Sequence, residues 1–224
     1  YLNFRQKGNF AAMYFVKTPW YLKTVYPSLV WDIPKSKTVY LTFDDGPVPG
    51  VTDKVLDILS AYQIKATFFC IGDNVVKHNN LFSRIQNEGH AIGNHTFHHL
   101  NGWKTENALY VNDVFACAEK VETQLFRPPY GRIGFNQIQE LKKHFTIVMW
   151  DVLSGDFDTT IDADACYQNV VNNVDDGSVI VFHDSLKALD RVLPALPKVI
   201  DTLLAQGYHF EPIAITNNVA IPTL

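Results

Sequence analysis

The chain reads as an α/β protein, a single domain of about seven βα units curled into a (β/α) barrel. Two observations carry that expectation. From residue 38 onward, strand-like and helix-like segments alternate. The runs Ile147-Val148-Met149-Trp150 and Val179-Ile180-Val181-Phe182 are apolar at every position, as suits parallel strands covered on both faces. A barrel fits better than an open sheet, and it directs attention to the C-terminal ends of the strands.

The elements follow in order. Residues 38–43 alternate apolar and polar (Val39, Leu41, Phe43), which predicts a strand delivering Asp44 and Asp45 to a sheet end, where Gly46-Pro47 turns the chain. A helix is expected over 52–62, then a buried strand over 66–70. A second helix spans 74–88, with Asn74 as its cap and Gly89 as its stop. Strand 90–94, helix 105–124 capped by Thr105, a short extended piece near 125–128 and helix 135–143 come next. Strand 145–151, helix 162–174, strand 178–183, helix 188–206 and strand 207–211 complete the series.

Ahead of this series the texture differs. Residues 1–12 are polar and aromatic without periodicity, and Met13 begins another pattern, so residues 1–12 are expected to be an expression-derived leader. Residues 13–36, rich in aromatics and prolines, are expected to form an irregular arm packed on a domain running from 37 to 224. The arm lacks a basic segment followed by a continuous apolar one, and its few basic residues argue against a membrane-surface role.

Composition sets the outer limits. A chain of 224 residues, 47% hydrophobic and 19% charged, suits one globular domain. Its formal charge of −4 and lack of a basic stripe exclude a nucleic-acid partner. No apolar run is long enough to span a bilayer. Cys70, Cys117 and Cys166 are odd in number and far apart, which favours buried thiols over a disulfide scaffold or metal site.

Chemistry gathers at the predicted strand ends. The two acids of the first strand point in different directions, so one can bind a cation while the other takes a proton; spacing leaves the assignment open. The third strand ends in His95-Thr96-Phe97-His98-His99. On a helical turn, His95 with His99, or His95 with His98, would bring two imidazoles to one ion, with Asp44 or Asp45 adding a carboxylate. Arg127-Pro128-Pro129-Tyr130-Gly131 is a stiff loop whose arginine can orient a carboxylate. His183 closes an otherwise apolar strand, and Asp156-Phe157 lies on another acidic, aromatic rim loop.

These motifs, in this order, resemble the polysaccharide deacetylases, the NodB-homology enzymes of carbohydrate esterase family 4. The resemblance runs from about Lys37 to Phe210. It implies a distorted (β/α) barrel of seven or eight units and a divalent metal, zinc foremost, with cobalt, nickel or manganese as alternatives. Through it, Asp45, His95 and His99 look like metal ligands, Asp44 the general base and His183 the general acid. Arg127 would orient Asp44, Asp156 would tune His183, and the Tyr130 backbone N–H would join the oxyanion site. Pro129, Phe157, Val181 and Trp103 are the expected substrate-pocket residues. The pattern departs at Phe157, where the family usually has tryptophan, and at Val181, where leucine is common; both bear on substrate fit.

The implied activity is removal of N-acetyl groups from an N-acetylglucosamine-containing oligo- or polysaccharide by a monomer whose partner is that acetylated carbohydrate. An O-acetyl (xylan) esterase, a deformylase, or an inactive carbohydrate-binding relative are the alternatives. The compartment is left open. His78, His90, His144 and His209 are expected at the surface or strand edges. Asp151, Asp158, Asp162 and Asp164 are expected to form a solvated acidic stretch, and Asp184 to support the site structurally.

Overall fold

A computed structural model describes residues 14–214; the expected leader, residues 1–12, lies outside the described residues. The elements, in chain order, are α1 (Trp20–Val25), β1 (Thr38–Asp44), α2 (Thr52–Ala61), β2 (Thr67–Cys70), α3 (Gly72–Lys77), α4 (Asn79–Asn87), β3 (Ala91–Asn94), α5 (Asn107–Ala118), β4 (Leu125–Phe126), α6 (Phe135–Leu141), β5 (Thr146–Ile147), β6 (Val152–Leu153), α7 (Ala163–Val171), β7 (Val179–His183), α8 (Leu189–Ala205) and β8 (His209–Phe210). The sheet runs β5-β4-β3-β2-β1-β7-β6, with every pairing parallel and β8 against the first residues of β1.

The result is a curled half-barrel rather than a closed ring. β5 and β6 form opposite edges, and the N-terminal arm bridges them: Val30 pairs with Val148, and Lys17 pairs with Val152. β1 is buried along its whole length at the centre. Its register sets Asp44 beside Phe69 of β2 and His183 of β7, so two predicted site residues are neighbours across one ladder step. Cores lie on both sides of the sheet. Phe43, Phe68 and Phe182 stack together between the sheet and its helices. All three cysteines are free and buried.

Several expected elements differ for identifiable reasons. Strand 145–151 shrinks to β5 at Thr146–Ile147, and β6 begins only beyond it at Val152, because the carbonyls that follow β5 are claimed elsewhere. Val148 O and Met149 O accept from the Arg127 guanidinium, at 3.2 and 2.9 Å, while Met149 N–H donates to Val30 O of the arm. Helix 74–88 is two helices broken at His78, whose backbone is non-helical (φ −128°, ψ 44°). Asn74 caps neither; α3 starts two residues earlier and Asn74 is committed to another contact. Glu106, not Thr105, caps α5, its carboxylate accepting the Ala108 and Leu109 N–H groups. The arm is not wholly irregular, since it contains α1.

Two further expectations are corrected. Asp151 is not a solvated loop acid but is buried, accepting from Lys17, Lys23 and Ser178. It ties the arm to the gap between β5 and β6. His90 is buried too, its Nδ1 accepting the Ala66 N–H at 3.1 Å, and burial lowers its pKa to about 4. Among the described residues, no helix is long and apolar enough to cross a membrane.

Candidate functional site

At the C-terminal end of β1 the chain presents Asp44 and then Asp45, whose left-handed backbone (φ 84°) turns its carboxylate away from that of Asp44. Asn74 fastens this turn by donating to the Asp45 carbonyl at 2.7 Å. Gly46 follows because only a residue without a side chain fits: a Cβ there would lie 1.9 Å from Asp184 Oδ2.

One pole of the site is Asp45, His95 and His99, whose ligand atoms all lie within 4.8 Å of one another. Asp45 Oδ1 is 3.1 Å from His99 Nε2 and 3.7 Å from His95 Nε2. The two histidines do not meet on a helical turn. Residues 95–99 are irregular, with Thr96 (φ 63°) and His99 (φ 57°) in the left-handed region. Such conformations cost about 1–3 kcal/mol each for a residue with a Cβ, and persist where surrounding contacts impose them. Here Asn94 Oδ1 accepts the Thr96 N–H, and Asp113 accepts the Phe97 and His98 N–H groups. His98 is exposed and turned onto Asp113, at 2.5 Å, so His95 with His99 is the pair that converges.

His95 is buried, and its Nδ1 lies 2.7 Å from the Arg127 carbonyl. An Nδ1–H donating to that carbonyl leaves the Nε2 lone pair facing Asp45, the tautomer a metal ligand needs. Burial, opposed by Asp44, lowers the His95 pKa to about 4 and keeps it neutral. For Asp45, burial acts upward, yet the His99 hydrogen bond and the charge of His183 hold the carboxyl well below the usual range. A carboxylate with two imidazoles is a donor set for a divalent metal, and the placement of Asp45, His95 and His99 fits one.

The other pole centres on His183. Its Nδ1 is 2.7 Å from Asp156 Oδ1, and its backbone N–H donates to Asp156 Oδ2 at 2.6 Å. Burial acts to lower this imidazole's pKa, but Asp156, with Asp45 and Asp44 beyond it, raises it to about 10. Asp156 is itself fully buried, and Arg191 Nε donates to its backbone carbonyl at 2.6 Å. Phe157 lies edge-on to the His183 ring, with centroids 5.3 Å apart.

Asp44 stands between the poles. Arg127, fully buried inside the half-barrel, donates from Nη1 to Asp44 Oδ1 and to Thr42 Oγ1, both at 2.7 Å. The Phe69 ring packs 4.1 Å from the guanidinium carbon. With Nε on Val148 O, Nη2 on Met149 O and one face on Phe69, the guanidinium is fixed, and it holds Asp44 in one place.

Tyr130, Pro129, Val181 and Asp184 adjoin these groups, while the contacts of Trp103 are with Arg132 and Ile133. Tyr130 has a left-handed backbone (φ 60°) in a tight turn, its ring 4.6 Å from that of His99. Its backbone N–H has no acceptor among the described residues. Pro129 is buried beside it, and Val181 is buried in β7 two residues before His183. Trp103 is 62% exposed, its indole N–H donating to Ile133 O and its face covered by Arg132. Asp184 is fully buried and accepts from Thr52 Oγ1 at 2.6 Å; burial raises its pKa to about 7.

Sequence reasoning missed Thr42, Asn74, Asn94 and Asp113. Each is a small polar residue whose job is to hold a backbone group or a charged neighbour, and nothing local distinguishes such a residue from a surface one.

Fold and site together define an α/β half-barrel carrying a metal-competent Asp-His-His group at its strand ends. A family model described as polysaccharide deacetylase matches residues 32–146, and the chain belongs to that family. A peptidoglycan-N-acetylglucosamine deacetylase of Bacillus cereus is 40% identical over 173 residues, 70% of this chain and 62% of that protein's length. The chain thus spans less than two thirds of that relative.

Among solved structures, a peptidoglycan N-acetylglucosamine deacetylase in complex with an N-hydroxybenzamide compound superposes with a TM-score of 0.81 at 36% identity. That superposition covers 88% of this chain and 95% of the other. The carbohydrate esterase family 4 domain of a multidomain xylanase from the hindgut metagenome of Trinervitermes trinervoides gives 0.72 at 29% identity, covering 80% and 88%.

Proposed function

We propose that this protein is a metal-dependent hydrolase that removes N-acetyl groups from N-acetylglucosamine-containing oligo- or polysaccharides, with peptidoglycan the first substrate to try. The observation that carries the reading is the division of labour around Asp44. An uncharged His95, with His99 and Asp45, lies on one side, and a protonated His183 beside Asp156 on the other. The peptidoglycan-acting relatives support the choice of substrate.

A divalent metal, zinc for this donor set, would be held by Asp45, His95 and His99 and would supply a Lewis acid that polarises the amide carbonyl and acidifies water. The chain's own groups then do the following. Asp44, kept in place by Arg127, takes a proton from water as its oxygen adds to the acetamide carbon. The Tyr130 N–H offers a donor to the oxyanion, a contribution of about 3–4 kcal/mol by comparison with other oxyanion holes. His183, protonated beside Asp156, gives its proton to the nitrogen as the C–N bond breaks, leaving an amine and acetate. Phe157 walls that imidazole from one side.

The likeness to the xylanase-borne domain supports a second reading, hydrolysis of O-acetyl esters on the same constellation. The two differ in their need for an acid, because an amide nitrogen leaves only when protonated whereas an alkoxide leaves more readily. Acetate release measured by mass spectrometry on chito-oligosaccharides, peptidoglycan fragments and acetylated xylan, with and without chelator, tests both. His183→Ala is expected to lower amide hydrolysis far more than ester hydrolysis. Failure of the intact protein to release acetate from every amide substrate would overturn the primary reading.

A further inference from the structure

We propose that Tyr14, in the N-terminal arm, is a positioning residue for the candidate general acid: it holds Phe157 against His183 and shields the His183–Asp156 contact from water. Three elements of the chain build this arrangement. Arm residues 16–18 pair antiparallel with β6, through Leu153 N–H to Val16 O and Thr18 N–H to Asp151 O, each 2.8 Å. Lys17 locks that pairing by donating to buried Asp151 at 2.6 Å. The arm therefore reaches the loop after β6 with a fixed register, and Tyr14 is the residue it brings there.

Tyr14 contacts that loop in three ways. Its ring lies 5.0 Å from Phe157 at an interplanar angle of 61°, on a Phe157 that in turn meets His183 at 5.3 Å and 72°. Its hydroxyl donates to Asp158 Oδ2 at 3.2 Å, and the other oxygen of that carboxylate accepts from both the N–H and the hydroxyl of Thr160. It also covers Gly155, where a Cβ would meet Tyr14 Oη at 2.7 Å. Edge-to-face rings in sequence form a continuous apolar wall, and a phenyl ring held from behind cannot swing away from the imidazole. Tyr14 touches neither His183 nor Asp44; it acts through Phe157.

This role rests on His183 acting as the acid, so its test must read His183 directly. In metal-free protein carrying 15N-labelled histidine, solvent exchange of the His183 Nδ1–H should accelerate at least about tenfold in Tyr14→Ala and stay within about twofold in Tyr14→Phe, which keeps the ring. In Phe157→Ala, adding Tyr14→Ala should change nothing further, because the wall is already gone. Tyr14→Leu replaces Tyr14→Ala should the latter fail to fold. Exchange in the ring-removing variant within twofold of the parent, or a further acceleration on top of Phe157→Ala, overturns the proposal. Absence of acetate release by the intact protein would instead count against the deacetylase reading, and the exchange rates would still decide Tyr14.

Discussion

The two imidazole centres that flank Asp44 are made of the same residue types yet tuned in opposite directions. His95 leans on a neutral acceptor, the Arg127 carbonyl, and burial keeps it uncharged with a pKa near 4. His183 leans on a buried carboxylate, Asp156, and holds its proton to about 10. One change of partner, carbonyl for carboxylate, separates an uncharged imidazole from a protonated one, the states the proposed ligand and the proposed acid require. Their scaffolds differ too. The His95–His99 pole is shaped by left-handed backbone at Asp45, Thr96, His99 and Tyr130, four of the six non-glycine residues with positive φ among the described residues. The His183 pole sits at the end of a regular strand and owes its surroundings to a loop and the arm.

The sharpest way to separate the poles is to remove one. Asp45→Ala should abolish stoichiometric zinc binding and lower acetate release by about a thousandfold or more, since charge stabilisation at the reacting carbonyl goes with the metal. The His183 Nδ1–H resonance should persist in this variant. Retained one-to-one metal, measured by elemental analysis after gel filtration, would dismantle the assigned ligand set.

Asp156→Asn reverses the experiment. Metal content should stay stoichiometric, while kcat on an amide substrate falls about a hundredfold as the general acid loses its carboxylate. A pH profile adds a sign. His183 titrates higher folded than unfolded, so its pairing stabilises the protein fully below about pH 6.5 and is lost as pH rises toward 10. His95 titrates lower folded than unfolded, so it destabilises as pH falls from about 6.5 toward 4. Urea unfolding of the metal-free protein should lose its alkaline slope in Asp156→Asn and keep its acid one. A variant that loses both slopes, or neither, would show that the two centres are not independently tuned.

Much of this could be read before any coordinates. The βα alternation, the apolar run Val179–Phe182 and the alternating Val39–Phe43 announce themselves because burial selects apolar side chains, a property of each residue with its neighbours. The candidate site residues stand out in the sequence because charged and imidazole groups at apolar strand ends are rare. What could not be read are the devices that act across the fold. The break in strand 145–151 depends on Arg127 and Val30 taking its hydrogen-bonding groups, from positions 21 and more than 100 residues away. The left-handed Thr96 and His99 carry no glycine to advertise them. The pairing of Asp151 with Lys17 and Lys23 made a buried tie of what composition presents as a solvated acidic stretch.

Asn74 gives the smallest and most diagnostic test of how the metal pole is shaped. Its side chain sits on the first helical turn after β2, where a cap would be expected, but it donates instead to the carbonyl of Asp45 at 2.7 Å. That bond ties α3 to the one residue whose left-handed backbone aims the carboxylate at His95 and His99. Asn74→Ala removes a single hydrogen bond, costing about 1 kcal/mol of stability in urea unfolding. Because the bond orients a ligand rather than supplying one, zinc should still bind one-to-one but about tenfold more weakly. Asn74→Asp separates geometry from charge: it keeps the shape and loses the donor, so its affinity should fall at least as far. The His183 pole has no contact with Asn74, and its Nδ1–H exchange should be unchanged in both variants. If zinc affinity matched the parent while stability still fell, the left-handed turn at Asp45 would be held without Asn74, by contacts such as Ile71 N–H to Gly46 O and Asp184 N–H to Asp44 O.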